Sequence, residues 1–401
     1  MATKWLRAMG LSVLLLGAFG AHAVSAQESV KGRVLVRVET EIENEVEKEV
    51  KGVCDDHGAK VDKRTGKKGL FAIATPKGKT DNDFVIELRG DIRVRFADLD
   101  NIVGLPQMSG KPFHFPFDRG NNVKKYQNQP AKAQINLGNA LQSDGSGVMV
   151  AVLDTGIVST HVVLKGATLP GTNFVNLSLP PKDVADTATS QAIGHGTMVS
   201  GVITLMAPKV KILPVRVLNA DGKGSTLDVI QGIQYAVAQG AQVINMSFGS
   251  ETASEILNEV LEDAADKGVI LIASAGNEGR ENLLYPASHK DVLSVGSIDD
   301  KNKKSAFSNY AKKLTLVAPG ENIQSAYADG AYAAGSGTSF SAPFVSALAA
   351  LLISKYPNKP SDWIQDQIRE TCRKVDPANP TYKGKMGRGL IDVRQALAGN
   401  H

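Results

Sequence analysis

Gly337-Thr338-Ser339-Phe340-Ser341-Ala342-Pro343, followed directly by Phe344-Val345-Ser346-Ala347-Leu348-Ala349-Ala350-Leu351-Leu352-Ile353, decides how this chain is read. The second half is apolar but for Ser346 and spells a helix buried on all sides. Small residues and a serine stand just ahead of it. A serine at a helix start can turn its hydroxyl into a cleft and lend its own N–H to an anion. A nucleophile whose attack creates an oxyanion needs both. The same serine also reads as an ordinary N-cap, so other segments must decide.

Three segments do so. Val148-Met149-Val150-Ala151-Val152-Leu153 is a run suited to a central parallel strand, ended by Asp154-Thr155-Gly156. Open parallel sheets keep their working groups at the carboxyl ends of strands. Gly194-His195-Gly196-Thr197 opens the apolar stretch Met198-Val199-Ser200-Gly201-Val202-Ile203 and puts an imidazole at a helix start. Ser274-Ala275-Gly276-Asn277-Glu278-Gly279 follows the strand Gly268-Val269-Ile270-Leu271-Ile272-Ala273. There Asn277 is either a turn residue or an amide donor aimed at developing negative charge.

Together these segments resemble the catalytic core of the subtilases, the subtilisin-type serine proteases, in the chain order Asp, His, Ser. The likeness runs from about Gln134 to the C-terminus and takes in Ile212–Leu218, Val243–Gly249 and Leu316–Gly320. It implies a serine endopeptidase working through an acyl-enzyme. Ser339 would be the nucleophile, His195 the general base and Asp154 its orienting carboxylate, with Asn277 an oxyanion donor. Ser247-Phe248-Gly249 and Ser274-Ala275-Gly276 would wall the cleft, an extended substrate pairing with the first of them. Glu278 would lie near the S1 pocket and favour Lys or Arg there, with Leu284 making that pocket shallower. The implied fold is α/β: a subtilisin-like parallel sheet with helices on both faces, preceded by a small α+β, ferredoxin-like propeptide domain.

The chain departs from the family pattern at several places. His161-Val162-Val163-Leu164 carries Val163 where an aspartate commonly binds calcium, and the loop supplying further ligands is shortened after Ile203. Calcium needs several oxygen ligands, so the usual high-affinity site is expected to be lost; calcium elsewhere stays open, and the chemistry itself requires no cofactor. Met198 replaces a second histidine, and Phe340 replaces a methionine after the nucleophile.

The 401 residues are 42% hydrophobic and 21% charged, with net charge +4, an ordinary globular balance. Short runs such as Lys301-Asn302-Lys303-Lys304 read as solvated loops, so no nucleic-acid partner is expected. Residues 1–26 read as a signal peptide: Lys4 and Arg7, then apolar Met9 to Phe19, then Val24-Ser25-Ala26. A secreted or periplasmic protein follows, with no membrane contact after cleavage. Cys54 and Cys372 are the two cysteines; if the segments carrying them separate, no internal disulfide remains.

Residues 27–110 read as an inhibitory and chaperone propeptide, 111–133 as linker plus the start of the mature enzyme, and 134–401 as the catalytic domain. In the first region Gly32–Val38, Gly69–Ala74 and Asp91–Asp98 read as strands. Thr40-Glu41-Ile42-Glu43 has a capping-box pattern, and Ile42, Val46, Val50 and Val53 share a helical face ending near Gly58. Asp81–Leu88 reads as a second helix. Leu105 to Pro130 is polar and linker-like, and propeptide cleavage is expected in it or just before it. Farther on, Ser225-Thr226-Leu227-Asp228 and Thr252-Ala253-Ser254-Glu255 each start a helix between strands, which implies βα units on a parallel sheet. Expected partners are protein or peptide substrates and the chain's own propeptide.

Overall fold

The computed structural model describes residues 28–64, 69–106, 123–138, 143–187 and 190–399. The signal peptide read at 1–26 and the linker residues 107–122 lie outside them. The N-terminal unit runs β1 (Ser29–Val38), α1 (Glu43–His57), β2 (Lys60–Arg64), β3 (Leu70–Ala74), α2 (Asp81–Leu88) and β4 (Val94–Gly104). Its antiparallel sheet has the order β2-β3-β1-β4. Alternation along β1 divides its side chains between two faces. Val34 and Val36 pack with Val46, Val50, Val53, Phe84 and Leu88 of the two helices, while Leu35 faces the apolar cluster of the larger unit.

Two local expectations fail here. The charged strand β2 carries no apolar alternation to reveal it. The capping box at Thr40 does not form: α1 starts at Glu43 behind Ile42, without a side-chain cap. The Thr40 hydroxyl instead accepts from the Ile42 N–H at 3.2 Å, a turn that competes with the helix. Ile42 is consequently 60% exposed and does not join Val46, Val50 and Val53 in the core.

The larger unit begins with α3 (Val123–Gln127), α4 (Pro130–Gln134), β5 (Met149–Asp154) and β6 (Thr172–Asn173). It continues through α5 (His195–Met206), β7 (Lys211–Arg216), β8 (Lys223–Ser225), α6 (Thr226–Ala238), β9 (Val243–Met246), α7 (Glu255–Asp266) and β10 (Ile270–Ser274). Then come β11 (Val292–Ile298), β12 (Leu316–Pro319), β13 (Ile323–Ala326), β14 (Tyr332–Gly335), α8 (Thr338–Lys355), α9 (Ser361–Glu370) and α10 (Val393–Ala398). Seven strands form the expected parallel sheet, in the order β12-β11-β10-β9-β5-β7-β6. Helices cover both faces. Val150 and Val152 of β5 pack on the α5 and α8 side, Ala151 and Leu153 on the α6 and α7 side. Helix α8 is buried from Thr338 to Leu352. It is long and apolar enough to cross a membrane, yet here it threads the core.

The two units meet along β4. It pairs antiparallel with β8, Ile102 against Ser225 and Gly104 against Lys223. Two carboxylates on one face of β4 close the starts of two helices. Asp100 accepts from the Leu227 N–H at 3.0 Å in the first turn of α6 and is held by Arg33 Nε at 2.8 Å. Asp98 accepts from the Ile256 N–H at 3.1 Å and the Ser254 hydroxyl at 2.8 Å at the start of α7. That contact explains why Ser254, not Thr252, caps α7. Glu259 of α7 lies between Arg37 (3.3 Å) and Arg95 (3.1 Å).

Replacing Asp98 and Asp100 together by Asn removes both charges from these helix ends, at about 2 kcal/mol each. In a Ser339→Ala background, calorimetry should show the N-terminal unit unfolding at a lower temperature while the sheet's own transition stays in place. An unmoved first transition would deny the caps any part in docking.

Candidate active site

Strands β5, β9 and β10 are neighbours, and their carboxyl ends deliver Asp154, Ser247 and Asn277 to one edge of the sheet. Helices α5 and α8 start above that edge with His195 and with Thr338-Ser339. His195 Nδ1 lies 2.8 Å from Asp154 Oδ1, and both side chains are fully buried. A carboxylate only accepts, so Nδ1 carries the proton and Nε2 is the nitrogen left for base chemistry. The glycine after the histidine is sterically required. A Cβ on Gly196 would lie 2.2 Å from the Gly156 carbonyl oxygen and 3.0 Å from Asp154 Cβ.

Ser339 sits in the first turn of α8, and its hydroxyl donates to the Ser247 carbonyl at 3.1 Å. Pro343 has no N–H to give the Ser339 carbonyl in the usual helical way. The Ser247 hydroxyl supplies that bond instead, at 3.0 Å. It is steadied by Asn245 Nδ2 at 2.9 Å, while Asn245 Oδ1 accepts from the Ser346 hydroxyl at 2.9 Å. A buried chain of polar groups thus ties β9 to α8. The Phe340 ring lies 5.5 Å from the His195 ring.

Asn277 is held by its carbonyl end. Thr338 donates to Oδ1 from its N–H (2.9 Å) and its hydroxyl (2.8 Å). Both are donors, which fixes the oxygen toward Thr338 and turns the NH₂ away. The flanking backbone is clipped to a second loop. Asn309 Oδ1 accepts from the N–H groups of Glu278 (3.0 Å) and Arg280 (3.2 Å), and Gly279 donates to the Phe307 carbonyl at 2.7 Å. That loop is organised around Lys304, whose ammonium donates to the carbonyls of Ser305 (2.9 Å) and Ser308 (2.8 Å) and lies over the rings of Tyr310 and Tyr382. Burial pushes the Lys304 pKa down to about 8.

The other cleft residues fall around this centre. Gly249 exchanges hydrogen bonds with Gly104 at 2.8 and 3.0 Å. Phe248 is buried in the cluster that also holds Val103 and Leu105. Ser274 and Ala275 are fully buried; the Ala275 N–H donates to Val295 and its carbonyl accepts from Leu284, so its backbone is already paired. Glu278 is half-buried, with its carboxylate accepting from Asn309 Nδ2 at 2.5 Å. Leu284 would be within 2.6 Å of a Cβ at Gly249 and 2.9 Å of one at Gly276, so it packs under both.

Sequence reading missed Asp183. This buried carboxylate accepts from the Thr155 hydroxyl (3.1 Å), the Gly194 N–H (2.9 Å), the Thr197 N–H (3.0 Å) and the Thr197 hydroxyl (2.7 Å). It therefore joins the residue after Asp154 to both sides of His195. Burial raises its pKa, opposed by these hydrogen bonds. Its loop is anchored by Asp186, which grips Arg216 at 2.8 and 2.7 Å. The available signal was an acidic residue shortly before His195, with threonines following both Asp154 and His195.

Val163, at the expected calcium position, packs against the core. Among the described residues, Glu262, His289 and Asp291 bring three ligand-type atoms within 4.8 Å of one another. The Lys290 ammonium already serves both carboxylates, at 3.0 and 2.8 Å. Burial lowers the His289 pKa. This cluster lies at the amino end of β11, the far edge of the sheet from Asp154.

Comparison with known proteins agrees with this architecture. Subtilisin BL of Lederbergia lenta is 35% identical over 263 residues, covering 63% of this chain and 91% of the relative. Subtilisin DY of Bacillus licheniformis is 31% identical over 265 residues, with the same coverages. Among solved structures, fervidolysin of Fervidobacterium pennivorans, a keratinolytic enzyme related to subtilisin, superimposes with a TM-score of 0.74 at 23% identity. That match covers 92% of this chain and 61% of the longer fervidolysin chain, and it speaks to the fold. The model of the subtilase family matches residues 145–389, and the chain belongs to that family of serine endopeptidases.

Proposed function

We propose that this subtilase is exported and cuts protein or peptide substrates through an acyl-enzyme, with Asp154, His195 and Ser339 as its triad. The observation that carries the reading is the 2.8 Å bond between His195 and Asp154, with the Ser339 helix starting beside them. Ser339 Oγ attacks the scissile carbonyl while His195 Nε2 takes its proton and later gives it to the leaving amine. Asp154 holds the tautomer and stabilises the imidazolium. The Asn277 NH₂ and the Ser339 N–H face the oxyanion. Asp183 is a positioning residue: it touches no reacting atom but fixes the His195 helix against the strand that carries Asp154. Subtilases need no cofactor for this chemistry.

Residues 27–110 act as an inhibitory and folding-assisting propeptide, removed after the signal peptide 1–26. Support comes from β4, which leads Gly104 into the pairing that an extended substrate would make with Gly249. The enzyme then works in the periplasm or outside the cell. Glu278, its carboxylate bonded to Asn309, biases S1 toward basic residues only weakly.

A fluorophosphonate should label Ser339 and no other serine, and Ser339→Ala should accumulate as unprocessed precursor. Absence of labelling in processed protein would favour an inactive scaffold. Asn277→Ala should cost about 3 kcal/mol of barrier, roughly 10²-fold in kcat; that magnitude is subtilisin's, carried over from a relative. Asp183→Ala should lower kcat on the order of 10²-fold with KM nearly unchanged, through displacement of the imidazole. Equal changes in both constants would contradict its positioning role.

A further inference from the structure

Away from the cleft, one turn gathers an imidazole and two carboxylates. The chain enters β11 through tight turns: the His289 N–H donates to the Pro286 carbonyl at 2.9 Å and the Val292 N–H to the His289 carbonyl at 3.3 Å. This segment is tied to α7, because the Tyr285 hydroxyl donates to Asn258 Oδ1 at 2.8 Å. Glu262 stands one helical turn beyond Asn258, on the same face. The Tyr285 ring also meets the His289 ring edge-on, with centroids 6.3 Å apart. Burial lowers the His289 pKa, so the imidazole is neutral at pH 7. Its Nδ1 accepts from the Asp291 N–H at 3.3 Å, which marks it as the nitrogen without a proton, and it lies 3.9 Å from Asp291 Oδ2. Ligand-type atoms of Glu262, His289 and Asp291 all fall within 4.8 Å of one another. Two carboxylates and a nitrogen lone pair so close repel one another unless positive charge stands among them. The Lys290 ammonium supplies it, 3.0 Å from Glu262 and 2.8 Å from Asp291, on a side chain that is 69% exposed and can swing out into water.

We propose that Glu262, His289 and Asp291 form a zinc site that staples α7 to the start of β11, with Lys290 as the placeholder cation. The donor set selects the ion. Zinc takes imidazole together with carboxylates, whereas calcium wants six or more oxygens. Three protein ligands and a water complete a tetrahedral zinc. Bonds of about 2.1 Å put tetrahedral ligand atoms about 3.4 Å apart, so each side chain need shift by no more than about 1 Å. A neutral imidazole has no proton to lose on binding, and Nδ1 gives up only the long bond from the Asp291 N–H. A doubly charged ion also neutralises both carboxylates, where one ammonium neutralises a single one. The site lies at the opposite edge of the sheet from Asp154. Zinc there would add stability without entering the chemistry, and the inference stands apart from the triad reading.

The test uses the purified full-length chain in a Ser339→Ala background, stripped of metal by a chelator. Titration calorimetry follows zinc binding, and scanning calorimetry follows the unfolding temperature. Zinc should bind and raise the temperature of the sheet's transition, and calcium at the same concentration should not. His289→Ala should weaken zinc binding by more than about 100-fold, the upper cost of losing even an indirect partner of a metal. Glu262→Gln, a change at a partly exposed side chain that leaves the fold intact, should weaken it by roughly tenfold or more. Lys290→Met should tighten it about tenfold, because two exposed ion pairs no longer compete. Zinc that binds Glu262→Gln as tightly as the parent has settled elsewhere and overturns the site, as does a titration with no heat of binding. An equal response to calcium overturns the choice of ion. Unchanged affinity in Lys290→Met overturns the placeholder role.

Discussion

One buried carboxylate holds the working edge of this molecule together. Asp183 lies among four donors drawn from Thr155, Gly194 and Thr197, so the end of a strand and the start of a helix share one anchor. A parallel strand end and a helix start have no backbone pattern in common, so side chains must bridge them, as the Thr155 hydroxyl also does by accepting from the Gly196 N–H at 3.0 Å. The cost of burying this carboxyl is opposed by its four hydrogen bonds, which an apolar side chain would leave unmade. The bond between His195 and Asp154 inherits its geometry from that anchor. The grip of Arg216 on Asp186 then keeps the supporting loop against the sheet.

The same logic of borrowed donors recurs at α8. Proline in its early turns removes one helical donor, and the vacant acceptor, the Ser339 carbonyl, is taken by the hydroxyl of Ser247, the residue that follows β9. The nucleophile's backbone is therefore referenced to the sheet and not only to its own helix. Between the two units, acidic residues of β4 serve helices α6 and α7 in the same manner. In each case an element is completed by a group distant in sequence.

That is also where sequence reading ran out. The central strands and α8 were legible because burial on both faces demands long apolar runs, and Gly194-His195-Gly196 and Gly337-Thr338-Ser339 stood at their ends. The α+β order of the N-terminal unit was legible too, apart from β2, whose Lys60, Asp62 and Lys63 carry no apolar periodicity. The capping pattern at Thr40 failed because a local turn used its hydroxyl first. The one at Thr252 failed because Asp98 selects Ser254 from another unit. Asp183 was hidden for a related reason: its importance lies in who surrounds it, and its loop has no periodic pattern to read.

Phe340 carries a consequence of its own. It follows the nucleophile, is wholly buried, and sets its ring near the His195 imidazole. A methionine thioether there would take oxygen from peroxide and become a bulky polar sulfoxide inside the catalytic edge. A phenyl ring offers no such lone pair. Met198 nearby has a sulfur, but it too is sealed at zero exposure. Among the described residues, neither Phe340 nor Met198 therefore offers peroxide an accessible sulfur beside Ser339.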